Sequence, residues 1–288
     1  MAYLTHLLIL SGIYSILALS LNLITGFVGL VAVSHAAFFG IGAYTTALFV
    51  TKFGFNFFAA LVIGIFFSGL IAAVAGRIFS KFRGDYYTLA TLGLNIIIYS
   101  VMLNWQKLTN GPLGISAVPH PDFFGISFYS STNFLFLTLM FVAATFLIAH
   151  FLVKSSFGRI LKAIRDDEGA IQVFGYKAFN YKLTIFVVGS GLAAVAGSLY
   201  ASYLTYIDPT VFAVDESIFI LAIIILGGLA SLRGSIVGAV FLVFLPELLR
   251  FIGLPSEIAA QTRLMLYGAI LIFLMLYRPQ GLMGEYKL

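Results

Sequence analysis

Long apolar runs alternate with short polar breaks along nearly the whole chain. Reading from one charge to the next gives candidate spans at residues 4–24, 27–50, 53–76, 86–104, 133–153, 183–207, 217–232, 235–249 and 264–277. The longer runs reach the roughly 20 residues that a helix needs to cross a bilayer. Ile218-Phe-Ile-Leu-Ala-Ile-Ile-Ile-Leu226 is continuously apolar, whereas barrel strands alternate over about ten residues. The pattern predicts an all-α, polytopic transmembrane bundle, one domain over residues 1–288, with about nine spans and a range of about eight to ten.

The interruptions carry the remaining information. Residues 154–182 hold nine of the 27 charged residues, a density that no bilayer-crossing segment tolerates, so this is a water-facing loop suited to a soluble partner. Residues 105–132, with Asn-Gly-Pro at 110–112 and Val-Pro-His-Pro at 118–121, read as turns in a long loop on the opposite side. It is a lid, a docking surface or a plain connector. Gly-rich stretches at 26–42 and 227–238 break otherwise apolar runs; they fit either broken or re-entrant helices at a transport site or close helix packing through small residues.

Composition agrees with a membrane protein. Charged residues make up 9% and mean hydropathy is +1.07, against about 25% charged in soluble domains. No charge precedes Lys52, so the start lacks the basic leader of a secretory signal and its first span is expected to be retained. Successive crossings put 12 of the 16 Lys and Arg on the side of residues 77–84, 154–182, Arg233 and 278–288. The positive-inside rule makes that side cytoplasmic, with the N-terminus outside and the C-terminus inside. The chain has no Cys, which excludes disulfides and thiolate sites. A net charge of +5 calls for no nucleic-acid partner.

No Gly-x-x-x-x-Gly-Lys-Ser/Thr occurs, so any ATP dependence lies on another chain. His6, His35, His120 and His150 lack metal-ligand spacing, and no hydrolase motif is present; no catalytic or metal-binding residue is assigned and no enzyme is expected. Polar residues inside spans are the candidate pathway positions. They are Ser34 and His35 in the interrupted second span, Thr88, Thr91 and Asn95 on one face of the fourth, and Gly227 and Gly228 at the later interruption. His35 reads alternatively as bonded to a carbonyl freed by the Gly kinks, and the Thr88 stripe as interhelical hydrogen bonding. An ion-coupled transporter working alone would want an intramembrane carboxylate, and apart from Asp85 and Glu247, both near span ends, the predicted spans offer almost none.

Ile160, Leu161, Ile164, Ile171 and Phe174 recur at near-helical spacing in the charged loop. They predict an amphipathic helix whose acidic residues favour a protein partner over a lipid surface. Gly158-Arg-Ile-Leu-Lys-Ala-Ile-Arg-Asp-Asp-Glu168 followed by Gly175 resembles the cytoplasmic coupling segment of permeases of branched-chain amino acid ABC importers, of the LivM type. Five more blocks are similar to that family in the right order: Ser34-His-Ala-Ala-Phe-Phe-Gly-Ile-Gly-Ala-Tyr44, Gly84-Asp-Tyr-Tyr-Thr-Leu-Ala-Thr-Leu-Gly93, Leu108-Thr-Asn-Gly-Pro-Leu-Gly-Ile115, Leu226-Gly-Gly-Leu-Ala-Ser-Leu-Arg-Gly234 and Arg278-Pro-Gln-Gly-Leu282. Urea and amide importers use closely similar permeases.

The resemblance implies a subunit in the bacterial inner membrane that pairs with a LivH-like permease. Cytoplasmic ABC ATPases holding ATP and Mg would drive it, and an extracytoplasmic binding protein would deliver substrate. It assigns ATPase coupling to Arg159, Lys162, Ile164, Arg165, Asp167, Glu168 and Gly175, with no cofactor on this chain. The broader importer motif Glu-Ala-Ala-x-x-x-Gly is only approximated: Gly169 occupies the Glu position six residues before Gly175.

Overall fold

The computed structural model describes residues 2–82, 84–123, 126–250 and 280–284, with residues 265, 268, 269 and 272. In chain order its helices are α1 (Ala2–Val28), α2 (His35–Phe53), α3 (Phe57–Phe79), α4 (Asp85–Asn104), α5 (Gln106–Thr109), α6 (Ser131–Lys154), α7 (Ser156–Asp166), α8 (Glu168–Val173), α9 (Ala178–Leu204), α10 (Val214–Gly227) and α11 (Leu232–Arg250). Six of them, α1 to α4, α6 and α9, are long and apolar enough to cross a membrane. They match the first six expected spans, as continuous apolar sequence must when every backbone group needs an internal partner.

The expected spans at 217–232 and 235–249 are instead two arms of one broken unit, α10 and α11, bent by 120° at residues 228–231. The helix stops at Gly227 because Gly228 takes a φ of 115° and Ala230 a φ of 61°, neither of which continues a right-handed helix. The described residues therefore contain six spans, or seven with the broken unit. Most of the expected span at 264–277 and of the tail, including Arg278, lies outside them.

The core is built around α1 and the pair α2 and α9. Ile13, Ile16, Leu17, Ala18, Leu19 and Leu21 are fully buried although α1 is apolar all round, so α1 is enclosed by protein rather than lipid. The backbones of α2 and α9 meet at glycines. A Cβ on Gly42 would run into the Ala194 backbone, and one on Gly197 would run into Phe39 and Ala43. Thr46 Oγ1 donates to Ser198 Oγ at 2.7 Å across the same contact, a small-residue interface of the kind that lets helices approach in lipid. Helices α3, α4 and α6 keep one apolar face uncovered, with Val62, Phe66, Leu89, Ile97, Phe136 and Phe151 exposed; hydrocarbon is their natural solvent.

The loop at 105–132 is more ordered than its turn residues suggest. It contains α5 and strand β1 (Ile115–Ser116), which pairs antiparallel with β4 (Tyr206–Ile207), while β2 (Asp122–Phe123) pairs with β3 (Ile126–Ser127). Lys52 Nζ donates to the Leu108 carbonyl at 3.0 Å. These bonds fasten the loop to the ends of α2 and α9.

The amphipathic helix expected across residues 157–174 is two helices. Asp167 is extended, with φ −155° and ψ 102°, and its side chain accepts from the Ala170 N–H at 3.0 Å. An Asp in that geometry starts a new helix by capping it, so α8 leaves at a new angle from α7.

Candidate functional site

Two helices begin or end inside the bundle, and their exposed backbone groups organise the polar side chains of the interior. After α1, residues 29–34 run without helix and α2 starts at His35, whose Nε2 lies 2.6 Å from Ser20 Oγ. Ser20 precedes the last residue of α1 by about 12 Å at 1.5 Å per residue, so α2 starts within the bundle. Helix starts leave N–H groups without intrahelical acceptors. Val33 N–H donates to Thr91 Oγ1 at 3.1 Å, Ala36 N–H to Ser217 Oγ at 2.9 Å and Ala37 N–H to Asn95 Oδ1 at 2.8 Å. Thr88 Oγ1 donates to the Val31 carbonyl at 3.1 Å. The stripe of Thr88, Thr91 and Asn95 on α4 thus holds the broken entry to α2. Ser34 and His35 are buried, and Ser34 Oγ has no hydrogen-bond partner among the described residues.

The second interruption is gathered by one side chain. Asn22, fully buried on α1, donates from Nδ2 to Ser235 Oγ at 2.7 Å and to the Ser231 carbonyl at 3.0 Å, and its Oδ1 accepts from the Ala230 N–H at 3.0 Å. It therefore satisfies groups in the turn between α10 and α11 and on α11 itself. A Cβ on Gly26, one turn later, would collide with Asn22 Oδ1 and the Ala230 nitrogen; this close approach requires glycine. Leu282 and Met283 donate from their backbone N–H groups to the Leu226 and Gly227 carbonyls at 2.8 and 2.9 Å, capping the end of α10. Gly227 packs against Gly234 of α11, and Gly228 against Gly284. Both readings of this Gly-rich stretch, a broken helix and close packing, describe it.

The charged segment, to which the resemblance assigns ATPase coupling, is attached to the same place. On α7, Leu161 and Ile164 are 1% and 3% exposed, so the apolar face of the helix is seated on its own bundle. Lys162 Nζ lies 5.7 Å from the centre of the Phe27 ring, and Arg165 Nη1 donates to the Gly26 carbonyl at 2.9 Å. Gly26 and Asn22, one turn apart on α1, are thus bonded to Arg165 of α7 and to the break in α10–α11 respectively. Glu168 on α8 pairs with Lys182 of α9 at 2.6 Å. Arg159 is exposed and bonds Ser156, and Gly175 turns the chain out of α8 with a φ of 84°. Beyond α7 the apolar face changes direction: Val173 and Phe174 are 87% and 77% exposed.

Sequence reading passed over Asn22, Ser217 and Glu216. Asn22 was legible as a lone amide in an apolar run, where an unpartnered polar group is costly. Glu216 was hidden by a boundary drawn at residue 217: α10 begins at Val214, and the Glu216 carboxylate accepts from Tyr14 Oη at 2.5 Å.

Apolar spans, helices broken inside the bundle and a charged segment docked on their ends define a polytopic, all-helical membrane transport protein. Residues 3–275 match the family model described as branched-chain amino acid transport system / permease component. The LivM high-affinity branched-chain amino acid permease protein of Salmonella typhimurium is 34% identical over 94% of this chain and 68% of its own length. A probable LivM permease of Methanocaldococcus jannaschii is 26% identical over 95% of this chain and 91% of its own. LivH of Escherichia coli is 22% identical over 96% and 92%. No solved structure matches. The chain belongs to the branched-chain amino acid transport permease family.

Proposed function

We propose that this chain is one permease subunit of an ABC importer that moves branched-chain amino acids across the bacterial inner membrane by alternating access. Its second permease is LivH-like, two cytoplasmic ATPases hold the ATP and Mg, and an extracytoplasmic binding protein delivers the substrate. Its N-terminus lies outside and its C-terminus in the cytoplasm. The observation that carries the reading is Val173-Phe174: two large apolar side chains, exposed in a charged segment at the end of α8, which the Glu168–Lys182 ion pair ties to the bundle. An apolar knob on a helix suits a groove in a soluble partner, and the sequence has no P-loop of its own.

Motion of α7 and α8 under ATP-driven closure would reach Gly26 through Arg165, and the α10–α11 break through Asn22. Ser34, His35, Thr88, Thr91, Asn95, Gly227 and Gly228 sit at the two broken helix ends that such a motion would rearrange. Glu216 is the observation that favours the rival, an ion-coupled transporter acting alone. Copurification separates them: a tagged chain in mild detergent should bring down a P-loop ATPase and a second permease. A chain that arrives alone, and moves substrate alone, sinks the importer reading.

A further inference from the structure

Glu216 sits where a carboxylate is hardest to keep. Its partner Tyr14 lies about 18 Å from the start of α1 and about 21 Å from its end, taking 1.5 Å per residue, so the pair sits beside the middle of a helix long enough to cross a bilayer. One bond from a hydroxyl does not offset the cost of an ionised group at that depth. Among the described residues no Lys or Arg pairs with Glu216; the acidic side chains with such partners are Asp166 and Glu168, both in the coupling segment.

The surroundings are made for a transient cation. Glu216 is half-buried, and its neighbours Asp215 and Ile218 on the first turns of α10 are exposed, so the described residues leave one side of the turn uncovered. The Phe219 ring meets Tyr14 edge to face at 5.3 Å between centroids. Carboxylate and aromatic faces together are a recurrent receptor for ammonium groups. Ser217, the next residue, accepts from the Ala36 N–H of α2, and the far end of α10 is held by Asn22 through the break. The turn bearing Glu216 is therefore fixed to both interrupted helices.

Resting on the function proposed above, we propose that Glu216, oriented by Tyr14, receives the ammonium group of the amino acid in transit. A branched-chain amino acid offers one cation, and a single carboxylate with one supporting bond holds it weakly enough to release it onward. On this proposal the exposed side of the turn, which bears Asp215, lines the path of the substrate.

The test uses the complete importer in proteoliposomes, with ATP, the binding protein and labelled leucine. Glu216→Gln keeps an acceptor for Tyr14 and removes the charge, whereas Tyr14→Phe removes the bond and keeps the charge. The expected result is uptake reduced at least about tenfold in E216Q and no more than about threefold in Y14F, with the second permease copurifying as in wild type. A merely structural bond predicts the opposite order, and that order, or E216Q uptake within about threefold of wild type, overturns the inference. Loss of the second permease from E216Q, with E216D restoring both the complex and wild-type half-saturation, would assign Glu216 to a subunit contact and overturn it too. If E216Q fails to assemble and E216D assembles with a raised leucine concentration at half-maximal uptake, the inference stands. A wild-type importer that moves no leucine contradicts the proposed function instead.

Discussion

Asn22 concentrates the structural argument in one side chain. Its amide satisfies the Ala230 N–H, the Ser231 carbonyl and Ser235 Oγ where α10 ends and α11 begins. Asn22→Ala leaves those groups to find new partners in a buried site, at about 1–3 kcal/mol for each one left unpaired. The purified protein should lose thermal stability in detergent, and a midpoint equal to wild type would show that the break is held elsewhere. Gly26→Ala should do comparable damage for a steric reason, since its Cβ meets Asn22 and the Ala230 backbone. Overpacking of this kind costs about 1–3 kcal/mol, and melting of the two variants side by side checks it. A reader of the sequence sees Asn22 only as an amide in an apolar run; the backbone groups it serves lie more than 200 residues away and follow from the fold.

At the scale of elements, the two helices of the charged segment have different surroundings. Ile164 faces inward on α7, whereas Val173 and Phe174 project from α8. Phe174→Asp, alone or with Val173→Asp, should reduce ATPase copurification at least about tenfold, roughly 1.4 kcal/mol of affinity, and leave the melting point of the isolated chain in place. Ile164→Asp should instead destabilise the isolated chain, because a buried charge without a partner costs roughly 3–5 kcal/mol. Equal effects of the two changes on copurification and melting would contradict this division. Apolar spacing identified the segment and its amphipathic character, but it ran through Asp167 as if one helix continued. The cap that divides α7 from α8 depends on a backbone turned to φ −155°, which hydrophobic period does not register. Likewise the six uninterrupted spans were readable from length and hydropathy and the break at 227–238 from its glycines, whereas the joining of residues 217–249 into one bent unit was not. There, glycine and φ 115° at Gly228 turn two apparent crossings into one bent unit.

Among the described residues, buried polar groups gather at two broken helix ends of the bundle, and the charged segment is fastened to one of them. The family was legible in ordered sequence blocks, and residues 3–275 match it as a unit. The stripe of Thr88, Thr91 and Asn95 was also legible, as a face; that it closes over the start of α2 required three-dimensional contacts across 58 positions of sequence. The central claim is that this chain moves its substrate on energy supplied by another subunit. It is tested most directly by leucine uptake into proteoliposomes carrying this chain with its second permease and ATPases, the binding protein outside and ATP within. The account predicts uptake that requires ATP hydrolysis and all of the subunits. Uptake by this chain alone, driven by a proton or sodium gradient without ATP, would contradict it.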